Sequence, residues 1–321
     1  MCNALAELGL VIDLYVPQGP RKLSVKELDD LVKRKISKPR NFNISQFRTI
    51  KLFSRFKVIS NYFGLRNAIM KRDGDIYFTR TPVILPAIRR VGKKAIFESH
   101  SPHLQNSIGL IDRLYKCLLE VQIKKNKKLI MITISDALKK YWLEKGFSES
   151  KIYSLHDGFD DSIDKGDETK LDIRNRLKIE DKQIMITYIG SLYKDRGIDR
   201  ILELAKIFED CNFYVAGGPD NQKEYFQKQS SLRNINNIFF LGWIDRLVVN
   251  DYLLSSDILL MLWSRQVPTI DYCSPMKVFE YMSSGNLIVG DGYPTIREVL
   301  TDGKNALLSN PDSFDDLVLK L

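Results

Sequence analysis

Residues 272–291, YCSPMKVFEYMSSGNLIVGD, gather side chains whose types and spacing could hold a phosphorylated ligand. Ser274 is a good N-cap and Pro275 suits a first helical position, so the sequence predicts a helix opening there and closing at Gly285 before a buried strand. A helix N-terminus offers free N–H groups, so a diphosphate could dock along Ser274, Pro275, Met276 and Lys277. Glu280 follows within one to two turns, where a carboxylate accepts hydrogen bonds from vicinal ribose hydroxyls. Taken alone, Lys277 and Glu280 at i, i+3 read equally well as a surface pair worth a few tenths of a kcal/mol, roughly.

A second segment, YIGSLYKDRGIDR (188–200), shifts the balance. It leaves a buried strand through Gly190 and Ser191, carries Lys194 and Arg196 on a basic loop, and enters a helix near Gly197. Glycine lets backbone approach a ligand, and the arginine fork suits diphosphate oxygens, which makes Arg196 a candidate for stabilising a departing phosphate. In the first half, His100 ends the run FESH after a strand; a lone histidine there is ordinarily a structural hydrogen-bonder. Asp73-Gly-Asp75 matches a metal-binding D-x-D pattern, but it precedes a strand and Asp-Gly is a common turn dipeptide. Neither a P-loop nor G-x-G-x-x-G occurs, which weakens kinase and dehydrogenase readings.

These residues need strands and helices to position them, and the chain alternates the two throughout. The expected strands are 11–16, 75–79, 94–98, 129–134 and 151–155 in the first half, then 183–190, 212–218, 237–242, 257–262 and 286–291 in the second. Helical patterns separate them, the signature of doubly wound α/β architecture with parallel sheets. The polar stretch DDSIDKGDETK (160–170) reads as a linker. The expected division is a domain over 1–160, a linker over 161–170 and a second domain over 171–321. The chain opens inside a helix that a strand would ordinarily precede, and it closes just after Asp312 could cap a new helix. Missing sequence at both termini is therefore expected.

A length of 321 residues accommodates two cores. No apolar run approaches the ~18 residues of a membrane span, and MCNALAELGL lacks the basic head of a signal peptide. The four cysteines are scattered, which argues against a zinc site or disulfide framework and fits a reducing cytoplasm. Charge is divided unevenly: residues 1–150 hold 29 Lys/Arg and 13 Asp/Glu, and residues 151–321 hold 20 and 27. Aromatics near the basic runs are sparse and no nucleic-acid-binding signature is present, so anionic membrane is a better partner for the first half than nucleic acid. A solvated basic face with no partner stays open as the alternative.

The order ITYIGSLYKDRGID, FYVAGG, IFFLGWI, DILLML, SPMKVFEYMSSGNLIV and PTIREVLTDGKNALL resembles the donor domain of glycosyltransferase family 4 over nearly all of 183–310. DIYFTR, AIFESH and ITISDALKKYWLEKGFSESKIYSLHDGFD resemble that family's acceptor domain and its exit. The resemblance implies a GT-B fold, two Rossmann-like domains facing across a cleft, and retaining transfer from a UDP-sugar or GDP-sugar without a metal or other cofactor. It implies a lipid-linked or cell-surface polysaccharide precursor as acceptor, in the cytoplasm or at the inner face of the cell membrane. Glu280 takes the position of the ribose-binding glutamate and Arg196 that of a diphosphate-binding lysine. His100, with Arg80 ending DIYFTR, lies on the acceptor side, and Gly217, Trp243 and Ile244 wall the base. Arg196, His100 and Glu280 are the residues expected to carry catalysis. Two positions depart from the pattern: Tyr272 stands where the family often has a sugar-contacting glutamate, and Ser191 where many members have a phosphate-binding arginine. A sugar-nucleotide 2-epimerase and a non-catalytic partner subunit remain as alternatives.

Overall fold

The computed structural model describes residues 1–19, 21–33, 40–48, 57–71, 74–102, 109–159, 168–180, 183–193 and 196–321. The chain divides into two compact units. One contains Met1–Ile132 and Trp142–Tyr153, the other Thr133–Tyr141 and Ser154–Leu321. The expected linker and the Asp73 and Lys194 positions lie wholly or largely outside the described residues.

The first unit runs α1 (Cys2–Glu7), β1 (Asp13–Pro17), α2 (Val25–Lys33), β2 (Asn43–Phe47), α3 (Lys57–Lys71), β3 (Ile76–Thr79), α4 (Leu85–Arg90), β4 (Lys94–Ser99), α5 (Leu110–Lys124), β5 (Leu129–Thr133), α6 (Asp136–Glu144) and β6 (Ile152–Ser154), some of its last residues being shared with the second unit. Strands β3 to β6 form one sheet in sequence order, and β1 pairs with β2 in a separate parallel pair. Strand β2 was not anticipated, because NISQF offers only Ile44 and Phe47 as apolar residues and shows weak alternation. Alternation is clearer in β4, where Ala95 and Phe97 are buried. Phe97 meets the Trp142 ring edge-on with centroids 6.4 Å apart, and Trp142 Nε1 donates to Ser99 Oγ at 2.9 Å. A buried indole thus satisfies its N–H at the carboxyl end of β4.

The second unit continues with α7 (Lys170–Leu177), β7 (Ile184–Ile189), α8 (Ile198–Ile207), β8 (Cys211–Ala216), α9 (Asp220–Leu232), β9 (Ile238–Gly242), α10 (Arg246–Ser255), β10 (Ile258–Met261), α11 (Met276–Ser284), β11 (Leu287–Asp291), α12 (Pro294–Arg297), β12 (Leu307–Ser309) and α13 (Phe314–Lys320). Its parallel sheet has the order β12-β11-β10-β7-β8-β9. The chain winds outward from β7 in one direction, returns to the middle at β10, and winds outward in the other. Ligands in such sheets collect at the carboxyl ends of the two central strands, here β7 and β10. Successive residues feed opposite faces: Leu260 packs with Ile186, Phe213 and Phe226, while Leu259 and Met261 pack with Val278, Tyr281 and Ile296. A sheet buried on both faces explains the continuous apolar runs read as strands.

Two capping expectations are corrected. Pro275, not Ser274, is the N-cap of α11, because the Ser274 hydroxyl accepts the Asp157 N–H at 2.9 Å. Ser313, not Asp312, caps α13, its Oγ accepting the Asp316 N–H at 3.1 Å; Asp312 instead pairs with Arg265 at 2.5 Å. Gly285 closes α11 as expected, at a left-handed φ of 77°. The segment from Thr133 to Tyr141 adds Ser135, whose hydroxyl donates to the Tyr272 carbonyl at 2.8 Å.

Candidate functional site

The chain leaves β7 at the switch point through Gly190 and Ser191. Gly217 sits at a φ of 135°, and a Cβ there would lie 1.8 Å from the Gly190 carbonyl oxygen, so only glycine lets the two turns meet. Gly190 donates its N–H to the Ala216 carbonyl at 3.0 Å, and Leu192 donates to Gly218 at 2.8 Å. The Ser191 carbonyl accepts from the Tyr188 hydroxyl at 3.1 Å. A Cβ on Gly218 would strike Trp243 Nε1 at 2.1 Å. The indole of Trp243, 73% exposed, therefore lies flush on a side-chain-free stretch, with Ile244 turned toward the core beside Tyr214 and Tyr252.

Trp263 was not singled out from the sequence, and it organises the charges. It lies two residues beyond the end of β10, and its backbone N–H donates at 2.8 Å to Asp291, at the end of β11. Asp291 is buried and is held by Arg200 Nη1 at 2.8 and 2.9 Å. Burial pushes the Asp291 carboxyl up despite the Arg200 cation. Two cations stand over the Trp263 ring. The Arg196 guanidinium lies 5.7 Å from its centroid, and the Lys277 ammonium 5.8 Å from it and 4.4 Å from the Tyr188 centroid. Burial, and then the neighbouring Arg196 charge, press the Lys277 amine down to about 7. Arg196 and the first turn of α11 are thereby brought together through Lys277, while Ser274 Oγ accepts the Asp157 N–H and keeps its own O–H as a donor. Met276 at the helix start is exposed.

Glu280, one turn beyond Lys277, accepts a hydrogen bond from Arg246 Nη1 at 2.7 Å on Oε1. Arg246 opens α10 and was not anticipated, since the pair spans 34 residues. Tyr272 is buried, and its hydroxyl donates to the Pro268 carbonyl at 2.8 Å, which makes it a packing residue.

In the first unit, Glu98 joins the two acceptor-side candidates. Its carboxylate accepts from His100 Nε2 at 2.6 Å and pairs with Arg80 Nη2 at 2.8 Å. Burial pushes the Glu98 carboxyl upward, but the two donors together outweigh it and hold the pKa below the usual carboxylate range. The FESH run contained the signal for this partner two residues before the histidine.

Among the described residues one group could hold a metal ion by its spacing, Asp136, His156 and Glu298. Glu298 already accepts the N–H groups of Asp136 and Ala137 at 2.7 and 2.9 Å, which makes it a cap for α6. No described helix is long and apolar enough to cross a membrane.

Known proteins resemble this arrangement. Residues 169–321 match the family model for glycosyl transferases group 1. An uncharacterized 41.2 kDa protein of the cps region in Klebsiella pneumoniae is 22% identical over 178 residues, which cover 55% of this chain. The match spans 46% of that protein, less than half its length. Anabaena HepE, solved with UDP and glucose, superposes with a TM-score of 0.64 at 14% identity, covering 97% of this chain and 88% of that one. A glycosyltransferase from Rickettsia africae gives 0.70 at 15% identity, with 99% and 81% covered. Sucrose-phosphate synthase from Thermosynechococcus elongatus gives 0.70 at 12%, with 99% and 80% covered. The chain has the GT-B fold of these structures, built from two Rossmann-like units. The segment 169–321, which carries that sheet order, those glycine-lined turns and the paired cations, is similar to a glycosyl transferases group 1 domain.

Proposed function

We propose that this protein is a retaining glycosyltransferase that moves a hexosyl or N-acetylhexosaminyl group from a nucleoside-diphosphate sugar to a hydroxyl of a lipid-linked or cell-surface polysaccharide precursor. One observation carries the reading: Arg196 and Lys277 share the Trp263 ring at the switch point of the second sheet. Two adjacent cations beside a helix N-terminus suit a diphosphate better than any neutral ligand. Trp243 on Gly218 offers a flat wall for a base, and Glu280 offers a carboxylate to ribose hydroxyls.

In the proposed reaction the bond from the anomeric carbon to the diphosphate oxygen breaks while the acceptor oxygen bonds to that carbon from the same face. The acceptor proton passes to the departing phosphate oxygen. Negative charge grows on the leaving group, and Arg196 and Lys277 stabilise it where other transferases use a metal ion. His100, oriented by Glu98, and Arg80 serve the acceptor-binding unit. The basic first half meets anionic lipid at the inner face of the cell membrane, where such acceptors are anchored.

The cps-region setting of the Klebsiella relative and the UDP and glucose in the HepE structure support this reading. The packing role of Tyr272, where a sugar-contacting glutamate is common in the resembled family, favours a second reading, a nucleotide-binding subunit without turnover. A thermal-shift panel of uridine, guanosine and adenosine diphosphate sugars, followed by product analysis with lipid-linked acceptor, tests both. Stabilisation by one base series with glycosylated product supports the transferase. Stabilisation without product supports the subunit, and no stabilisation by any donor defeats both.

A further inference from the structure

Helix α5 buries one face in the first unit through Leu119 and Ile123. Its opposite face is also apolar. Leu110, Leu114, Leu118 and Val121 are 84, 61, 59 and 39% exposed, and Cys117 is exposed among them. At spacings of four, three, one and three residues these five form one continuous stripe along three turns. Apolar side chains lined up in this way on a water-facing helix mark a surface meant to be covered.

Charge along the edges says what covers it. Exposed Arg113 and Lys124 flank the stripe on one side. On the other, Arg89 and Arg90 end α4, and Arg89 is tied to α5 by a 2.9 Å hydrogen bond to Gln122, with exposed Lys125 close by. A second copy of this chain would have to set the same basic rims against each other across a two-fold contact, which repels. An anionic bilayer satisfies both features: acyl chains take the leucines and headgroup phosphates take the arginines and lysines.

We infer that α5 lies in the plane of an anionic lipid surface, its leucine stripe at the headgroup boundary and its basic rims on the phosphates. This rests on the membrane contact proposed above and gives that contact a specific element, independent of the donor loops. The same orientation keeps a lipid-anchored acceptor within reach of the unit that carries His100 and Arg80.

Flotation of the full chain with vesicles tests it. The protein should float with phosphatidylcholine vesicles containing about 30% phosphatidylglycerol, an anionic surface of the kind that attracts basic segments. It should not float with pure phosphatidylcholine, and added salt should weaken its binding. The double variant Leu114→Asp/Leu118→Asp should lose about tenfold or more in partitioning. Arg89→Glu/Arg90→Glu should lose binding as well, and both variants should keep their melting temperature because the altered side chains are exposed. Equal flotation of wild type and the leucine variant would overturn the inference, as would equal binding to neutral vesicles. A dimer seen by light scattering and abolished by the same leucine changes would assign the stripe to a second copy instead. Nucleotide-sugar thermal shifts on the same samples separate the two readings: flotation without a donor shift leaves α5 docking intact while the transferase fails.

Discussion

Arg196 and Lys277 hold their cationic ends over a single indole, 5.7 and 5.8 Å from the centroid of Trp263. The Arg196 charge disfavours a charged Lys277, the Asp291 carboxylate favours it, and a bound anion would favour it further. Burial first, and the Arg196 charge second, press the Lys277 amine to about 7.

The first expectation concerns pH. An unfolded lysine titrates near ~10.4, so between about pH 7 and 10 the unfolded chain binds more protons than the native one. Stability of the ligand-free protein should therefore rise with pH through that window, by at most about 1.4 kcal/mol per unit, and Lys277→Met should remove the rise. A bound diphosphate reverses the preference, since it needs the charged amine. Donor affinity measured by calorimetry should fall as pH climbs above about 7, up to about tenfold per unit. A flat affinity profile across that range would place Lys277 away from the phosphates.

Arg196→Ala should lower kcat more than it raises the donor Kd, by about 100-fold or more if the guanidinium meets charge that grows only in the transition state. Arg196→Lys should fall between, keeping the charge and losing the fork. Equal losses in rate and affinity would assign Arg196 to ground-state binding alone.

Glu280→Ala should weaken nucleotide-sugar binding about tenfold, the scale of one charge-assisted hydrogen bond, with little change in Tm. Its partner Arg246 is half-exposed, and pairs of that kind contribute about 0–1 kcal/mol. If Arg246 serves only to orient Glu280, the double variant Arg246→Ala/Glu280→Ala should bind no worse than Glu280→Ala. Additive losses would give Arg246 its own contact with the nucleotide.

Glu98→Gln should cost about 1–3 kcal/mol of stability, because Arg80 and His100 lose a buried charged acceptor. The native carboxyl has a lowered pKa, so its contribution is present above the unfolded value near ~4.3 and disappears as pH falls through the native one. Chemical melts of wild type and variant should converge in acid; a constant difference at every pH would contradict the ionised pair.

Chelation supplies another check. With Arg196 and Lys277 taking the diphosphate charge, EDTA should leave turnover within about twofold, where removing a Lewis-acid metal would cost several kcal/mol. Complete loss reversed by manganese would restore the Asp73-Gly-Asp75 reading.

The sheet of the second unit was legible because both its faces are covered, so its strands appear as unbroken apolar runs. Strands β2 and β12 escaped because they are short and contribute few buried side chains. At the candidate site, glycines and cations were readable from loop chemistry, whereas their supports were not. Ser274 has the local grammar of a cap, yet it is claimed by the Asp157 amide from 117 residues away. Trp263 is placed by a carboxylate 28 residues downstream, and no local pattern announces such a partner.

The nine residues from Thr133 to Tyr141 belong to the second unit although they precede its main body in the chain. Severing the gene near residue 168 would strip Ser135 from the Tyr272 carbonyl and leave the Glu298 carboxylate without the Asp136 and Ala137 amides. A junction ahead of residue 133 would keep those contacts but take Trp142 from Ser99 and β6 from its sheet, so domain-exchange chimeras need residues 133–141 from the source of the later half and 142–153 from the source of the first.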